Sequence, residues 1–312
     1  MDTLRIGIVG LGRLGRVHAE NIACKIPGAR LVAACTTRLE TLEYARELGV
    51  TALYTDFNQM LSEAEMDAVA VISTSSEHCW QIEAALDAGK HVFSEKPLGV
   101  DLDQCLQAQA AVERHPELTF MLGFMRRYDP SYAYAKRQVE AGVIGIPYLV
   151  KATGLDPEAV VEDAIRFCKN SGGIFRDAAI HDIDLMRWFL GSEAAEVYAM
   201  GCTFKHPAFQ DAGDDETGVA VYKFKNGAMG MVHVGRTAPY GYHIETEIVG
   251  TEGTIRISAV PEKNRAMVYD VNGARTECVE SFPERFAEAY LTEMEEFVRC
   301  VREGRKPDTG MA

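Results

Sequence analysis

An aspartate and a histidine four residues apart, with a further aspartate after them, interrupt a largely apolar stretch, "GGIFRDAAIHDIDLMRWFLG", Gly172 to Gly191. Read as one helix at about 100° per residue, it places Asp177, His181 and Asp184 within roughly one 60° stripe. Ile174, Phe175, Ala178, Ile183, Leu185, Met186 and Phe189 cover most of the remainder. An imidazole titrates near neutrality and a carboxylate one turn away fixes its tautomer, so Asp177 and His181 suit an acid/base pair lining a cleft. The same spacing also suits a solvated face, or a core histidine satisfied by a neighbouring carboxylate.

A second set of residues suits phosphate. Gly10-Leu11-Gly12-Arg13-Leu14-Gly15 follows the apolar run "RIGIV" and opens a helical stretch, the setting that a dinucleotide fingerprint requires. Gly10 allows the tight turn, Gly12 lets the backbone approach a pyrophosphate, and Gly15 lets the helix pack on its sheet, while the helix N-terminus offers unpaired N–H groups. Ribose recognition belongs at the end of the second strand, where this chain has Cys35-Thr36-Thr37-Arg38. Hydroxyls and a guanidinium there suit a 2'-phosphate; Arg38 equally suits stacking on adenine or a place in solvent. The third element is "SEKPLG", Ser94 to Gly99, after another apolar run. Sites in parallel sheets open at the carboxyl ends of strands, which points Lys96 into the cofactor crevice, and the proline restricts the backbone after Glu95 and Lys96.

These residues need a scaffold, and the pattern supplies one. "LRIGIVG", "ARLVAACT", "MDAVAVIST", "KHVFSEKP" and "LTFMLGF" are short apolar runs separated by amphipathic stretches such as "RLETLEYARELG" and "HCWQIEAALDAG". That alternation predicts an α/β doubly wound parallel sheet. Asp101 is placed to cap a helix through Arg114. Beyond about residue 123 the pattern changes to strands "AAEVYAMGC", "TGVAVYKF", "GAMGMVHVG", "HIETEIVG", "GTIRIS", "RAMVYDV" and "ARTECVE". Asn226-Gly227 and Asn272-Gly273 suit two-residue hairpins, and Gly250 to Gly253 a slightly longer one. The expectation is a second, α+β domain with a large, mostly antiparallel sheet, closed by an amphipathic helix over Glu284 to Glu303.

Composition narrows the function. The 312 residues are 47% hydrophobic and 25% charged, enough for a large core in two domains. A formal net charge of -14 argues against a nucleic-acid partner and suits a small-molecule substrate. No run approaches the ~18 apolar residues of a membrane span and no leader pattern is visible, which reads as a cytoplasmic protein without a membrane partner. Eight cysteines lie scattered without a C-x-x-C pair or zinc spacing, so structural thiols in a reducing compartment and no metal are expected.

Taken together, the glycine loop, "EKPLG" and the spacing from the Gly172-Gly173 pair to Asp177, His181 and Asp184 resemble the Gfo/Idh/MocA family of nicotinamide-dependent sugar and polyol dehydrogenases. Within it, "GFMRRYDPSY" and "PYGYHIETEIVG" are most similar to the inositol dehydrogenases, which act on myo- or scyllo-inositol. The resemblance implies a Rossmann domain over residues 1–122 and an α+β substrate-binding and oligomerisation domain over 123–312. It implies a catalytic set of Lys96, Asp177 and His181, with His181 taking a hydroxyl proton as hydride passes to nicotinamide. Cofactor contacts fall to residues 10–15, to Thr36, Thr37 and Arg38, to Ser73 and Thr74, and to Glu95 and Lys96, and more weakly to His78. Arg126, Asp156 and Tyr240 become candidates for other substrate hydroxyls, and Asp184 for orienting His181 or capping a loop. NAD is the expected cofactor with NADP open, because relatives that use NAD often carry an aspartate where Thr36 stands. The family usually continues for another helix beyond "GRKPD", and a homotetramer formed through the second domain is expected. Other expected readings are an aldose or keto-sugar substrate, and a non-catalytic nucleotide-binding sensor.

Overall fold

The computed structural model describes residues 3–169, 171–257 and 262–311. The chain divides into two compact units, Met1–Tyr128 with Glu288–Ala312, and Asp129–Ala287.

In the first unit, β1 (Leu4–Val9), β2 (Ala29–Cys35), β3 (Ala52–Tyr54), β4 (Ala68–Val71), β5 (His91–Glu95) and β6 (Phe120–Gly123) alternate with α1 (Arg13–Glu20), α2 (Leu39–Glu47), α3 (Phe57–Glu63), α4 (His78–Asp87) and α5 (Leu102–Arg114). All pairings are parallel, in the order β3-β2-β1-β4-β5-β6, a doubly wound Rossmann sheet. Pleating splits each strand between two cores. Ala68 and Ala70 of β4 face one cluster with Ile6 and Ile8, and Val69 and Val71 face the other with Ile82 and Leu86. Asp101 caps α5, accepting from the Gln104 N–H at 2.9 Å. The short β3 and α3 carried no expectation from sequence.

The first unit does not end near residue 122. The final helix, residues 287–303, places Met294, Phe297, Val298 and Val301 in the cluster with Ile6 and Ile8, so it belongs to this sheet. Full burial of a Met or Phe side chain contributes about 1.5–3 kcal/mol, which explains the return of the chain. The tail beyond it is stitched to β6, where the Leu122 N–H donates to Thr309 O at 3.0 Å.

The second unit adds α6 (Pro130–Glu140), β7 (Pro147–Pro157), α7 (Val161–Cys168), α8 (Ile174–Asp177), α9 (Ile180–Leu190), β8 (Ala194–Cys202), α10 (Ala208–Asp211), β9 (Thr217–Phe224), β10 (Met229–Ala238), β11 (His243–Gly250) and β12 (Thr254–Ile257). A separate hairpin, β13 (Glu262–Asp270) with β14 (Gly273–Cys278), precedes α11 (Phe282–Arg285) and α12 (Ala287–Glu303), the final helix. The main sheet runs β12-β11-β7-β10-β9-β8, antiparallel except for β7 and β10.

Several expectations change here. The central strand β7 and helix α6 went unread. The stretch Gly172 to Gly191 is two helices: the Ala179 N–H reaches back five residues to Ile174 O at 3.1 Å, widening the turn so that a 100° count does not carry across it. The hairpin lengths are also revised. Phe224 and Ala228 pair around three residues, and Thr251-Glu252 alone join β11 to β12. Val271-Asn272 form the third loop, with Gly273 at φ +104° just after it. Of the expected strand "GTIRIS", Ser258 lies outside the described residues. The helices approach the sheet where it lacks side chains: a Cβ on Gly218 would sit 2.8 Å from the Phe175 ring, and one on Gly230 2.5 Å from Met186 Sδ.

Candidate active site

The glycine loop follows β1, and its three glycines answer to different constraints. Gly10 has φ +93°, and a Cβ there would lie 2.4 Å from Ile72 O. A Cβ on Gly15 would lie 2.1 Å from Gly10 O, so α1 packs on the loop at backbone distance. Gly12 is different: its φ of -71° and ψ of -165° are open to any residue, and a Cβ would meet nothing within 4 Å. Its missing side chain leaves room beside the N-terminus of α1, which fits a pyrophosphate held by backbone N–H groups. Leu11 is buried in the core and Leu14 packs against it, whereas Arg13 is exposed.

After β2, Thr36 is buried, and its Oγ1 accepts from the Arg38 N–H at 3.2 Å and the Thr41 hydroxyl at 3.2 Å. Thr36 therefore holds the entry to α2, while Thr37 and Arg38 are exposed. After β4, the Ser73 hydroxyl donates to Gln81 Oε1 at 2.6 Å, with Thr74 beside it. His78 is buried, with Nδ1 2.8 Å from Pro97 O and Nε2 3.2 Å from Ser73 O. Burial pushes its pKa down, against the pull of the two carbonyl oxygens that its ring nitrogens face. His78 thereby braces the segment carrying Lys96 against the loop after β4. Residues 10–15, 36–38, 73–74 and 96 thus lie at the carboxyl ends of β1, β2, β4 and β5.

Glu95 turns elsewhere. Its Oε1 accepts from His18 Nε2 at 2.8 Å, inside the layer between sheet and helices, and not in the crevice expected of a cofactor contact. Glu293 of α12 stands 3.9 Å from the same nitrogen and is fully buried. Burial, reinforced by the Glu95 charge, raises its pKa well above the ordinary carboxyl value. Arg126 is buried in the turn Met125–Tyr128.

In the second unit, Asp177 closes α8, and His181 and Asp184 lie in α9, with exposures of 7%, 7% and 4%. Those values dispose of the solvated-face reading. Asp182, in the same turn, is also buried. Tyr240, on the loop after β10, is exposed and its hydroxyl lies 2.9 Å from His243 Nδ1.

Two members of this cluster carried no expectation. Arg236, on β10, is 2% exposed, with Nη2 3.2 Å from Asp177 Oδ2 and 3.5 Å from Asp214 Oδ2. Burial works against its charge, and the carboxylates of Asp177, Asp156 and Asp214 outweigh that and raise its pKa. Asp156 of β7 thus joins Asp177 around one guanidinium. The signal in the sequence was parity: Val232, Val234 and Arg236 alternate along β10 on its buried face.

The arrangement can bind a dinucleotide in the first unit and polarise a hydroxyl in the second. Burial pushes the Cys35 thiol, beside the glycine loop, up to about 11, which removes it as a nucleophile at neutral pH.

Comparison with known proteins agrees. Residues 4–124 match the oxidoreductase family with an NAD-binding Rossmann fold, and residues 132–256 match the GFO/IDH/MocA C-terminal domain. The scyllo-inositol 2-dehydrogenase (NAD(+)) of Bacillus subtilis is 38% identical over 97% of this chain and 88% of its own length. The myo-inositol 2-dehydrogenase of Thermotoga maritima is 35% identical over 97% and 90%. The crystal structure of scyllo-inositol dehydrogenase from Lactobacillus casei, with bound NAD(H) and scyllo-inositol, superposes with a TM-score of 0.95 at 45% identity, covering 99% of this chain and 92% of that one. On these grounds, and on its glycine loop and paired domains, the chain belongs to the Gfo/Idh/MocA family of oxidoreductases.

Proposed function

We infer that this protein is an NAD-dependent dehydrogenase that oxidises a ring hydroxyl of myo- or scyllo-inositol to the keto-inositol. The observation that carries the reading is the full-length likeness, at 45% identity, to a scyllo-inositol dehydrogenase solved with both NAD(H) and scyllo-inositol.

NAD, when bound, supplies the hydride acceptor. The first unit would hold it through the backbone of residues 10–15, with Thr37 and Arg38 toward the ribose and Ser73 and Thr74 toward the nicotinamide end. The choice of NAD rests on the likeness to an NAD(H)-bound dehydrogenase, and Thr36 serves the entry to α2, where its hydroxyl accepts from Arg38 and Thr41. Lys96 supplies a positive charge to the reacting oxygen, which favours developing alkoxide. His181 accepts the hydroxyl proton, and Asp177 serves as an anionic acceptor that fixes the orientation of its partner. Arg126, Asp156 and Tyr240 would bind other hydroxyls, as a polyol needs several convergent donors and acceptors.

Among the described residues, no helix is long and apolar enough to cross a membrane. A cytoplasmic role in polyol metabolism fits that fact and the chemistry. The outer face of the second sheet supports a homotetramer. Tyr198, Val221 and Met231 lie in one row across β8, β9 and β10, with Met200 and Val219 beside them, exposed by 41–67%. A contiguous apolar patch of this kind marks an interface.

The test is reduction of NAD and NADP, in parallel, with myo-inositol, scyllo-inositol, D-glucose and D-xylose at alkaline pH. Turnover with an inositol and a preference for NAD is expected. Turnover with an aldose alone would replace the substrate, and a preference for NADP would replace the cofactor. NADH binding with no turnover on any of the four would move the reading to a sensor.

A further inference from the structure

We propose that Arg236 is a positioning residue for the reaction: its buried guanidinium clamps the short helix α8 at both ends and keeps Asp177 a permanent carboxylate, so that Asp177 acts as an acceptor and never as an acid. The inference rests on the reading of Asp177 and His181 as the site of hydroxyl oxidation.

The clamp is visible in the bonds. Helix α8 is four residues long, and its N-cap, Gly173 at φ +91°, has no side chain to cap it. Asp214 does that work from a distance of 40 residues: its Oδ1 accepts from the Ile174 N–H at 2.8 Å and from the Asp215 N–H at 2.9 Å. The other carboxylate oxygen, Oδ2, lies 3.5 Å from Arg236 Nη2. That same nitrogen reaches Asp177 Oδ2 at 3.2 Å, at the opposite end of the helix. One guanidinium therefore ties the start of α8, through Asp214, to its last residue. Arg236 itself is fixed on β10, where its N–H donates to Glu216 O at 3.1 Å. A four-residue helix has almost no stability of its own, so external ties decide where Asp177 points.

The charge argument runs alongside. The carboxylates of Asp177, of Asp156 on β7 and of Asp214 in the loop before β9 all act on Arg236 of β10, and Asp214, Arg236 and Lys169 act on Cys168 at the end of α7, with His181 one turn beyond Asp177 in α9. Arginine stays protonated at every working pH, so the charge at 236 is permanent. Three carboxylates share this guanidinium, and removing it would leave their mutual repulsion less compensated and favour a proton on one of them. Protonation of Asp177 would turn an acceptor into a donor and misdirect the imidazole or hydroxyl that it holds. A lysine at 236 would keep the charge on a more flexible stem and lose the fixed placement of Nη2 between the two carboxylates.

The experiment compares Arg236→Met and Arg236→Lys with the wild type. Expected for Arg236→Met is a loss of kcat with scyllo-inositol and NAD on the order of 10²-fold, with NADH affinity and KM moved far less. The acid limb of the kcat/KM profile should move to higher pH. Arg236→Lys should recover at least about tenfold of that loss and return the acid limb toward its wild-type position. A loss of kcat with an unmoved acid limb, or no recovery in Arg236→Lys, would overturn the proposal in favour of a packing role. If Arg236→Met does not fold, Asp214→Asn tests the clamp: lower kcat is expected with an unmoved NADH affinity, and unchanged kcat would contradict it. Titration of the Asp177 carboxyl by 13C NMR, assigned with Asp177→Asn, needs no substrate. A higher pKa in Arg236→Met than in wild type is expected, with Arg236→Lys closer to wild type, and an equal value in Arg236→Met overturns the inference even if inositol proves to be the wrong substrate.

Discussion

The two units build their sites from different material. At the end of β1 the site is backbone: three glycines, a helix N-terminus and no charged side chain that the geometry requires. Around Asp177 the site is side chains, with one guanidinium and three carboxylates drawn from β7, α8, β10 and the loop before β9. A backbone site is written in consecutive residues and tolerates variation around it. A buried ionic site depends on partners far apart in sequence, and removing one leaves the rest uncompensated.

The largest effect should come where the first unit also uses a side chain. Lys96→Met is expected to lower turnover on the order of 10³-fold, with NADH affinity within a few-fold, because the proposed role of its charge is at the reacting oxygen. Comparable losses in both would place Lys96 with the backbone cradle instead. The cradle itself can be split. Gly12→Val should weaken NADH binding on the order of 10²-fold with Tm unchanged, because its backbone angles suit any residue and the space is open. Gly15→Ala should lower Tm, since its Cβ would meet Gly10 O at 2.1 Å. Thermal melts and NADH titrations on the pair check this, and parallel losses of Tm would show that Gly12 is structural.

A smaller effect concerns Glu293. Its folded pKa is raised, so the native state keeps a proton that the unfolded chain releases above about pH 4.3, and stability falls as pH rises toward the folded pKa. Glu293→Gln removes that loss, so its Tm should exceed wild type by a few degrees at pH 8 and match it near pH 4.5. A difference independent of pH would mean that Glu293 is ionised in the fold. The smallest effect on chemistry is expected on the outer sheet face. If the proposed tetramer forms through this face, Val221→Lys should reduce the mass in solution, measured by light scattering, while cofactor affinity stays within about twofold. An unchanged mass would move the interface elsewhere.

Legibility followed the same division. Gly10, Gly12 and Gly15 could be read because the strand, turn and helix that give them meaning are neighbours in the chain. Asp177 and His181 were legible by residue type, though the helix that seemed to unite them is broken at Ala178-Ala179. Arg236 and Asp214 were not, because their partners lie 59 and 40 residues away. Strand β7 escaped because its inward residues beyond Val150 are Ala152 and Gly154, too small to mark alternation. Glu95 was misplaced for the opposite reason: "EKP" reads as one unit, yet in a strand successive side chains point to opposite faces, and Glu95 faces His18.

The most direct test of a separable cradle and ionic site is NADH affinity and turnover measured on one preparation of His181→Ala. The expected result is a turnover lower on the order of 10³-fold with an NADH dissociation constant within about threefold of wild type. Equal losses in both would contradict the account and make His181 a structural histidine.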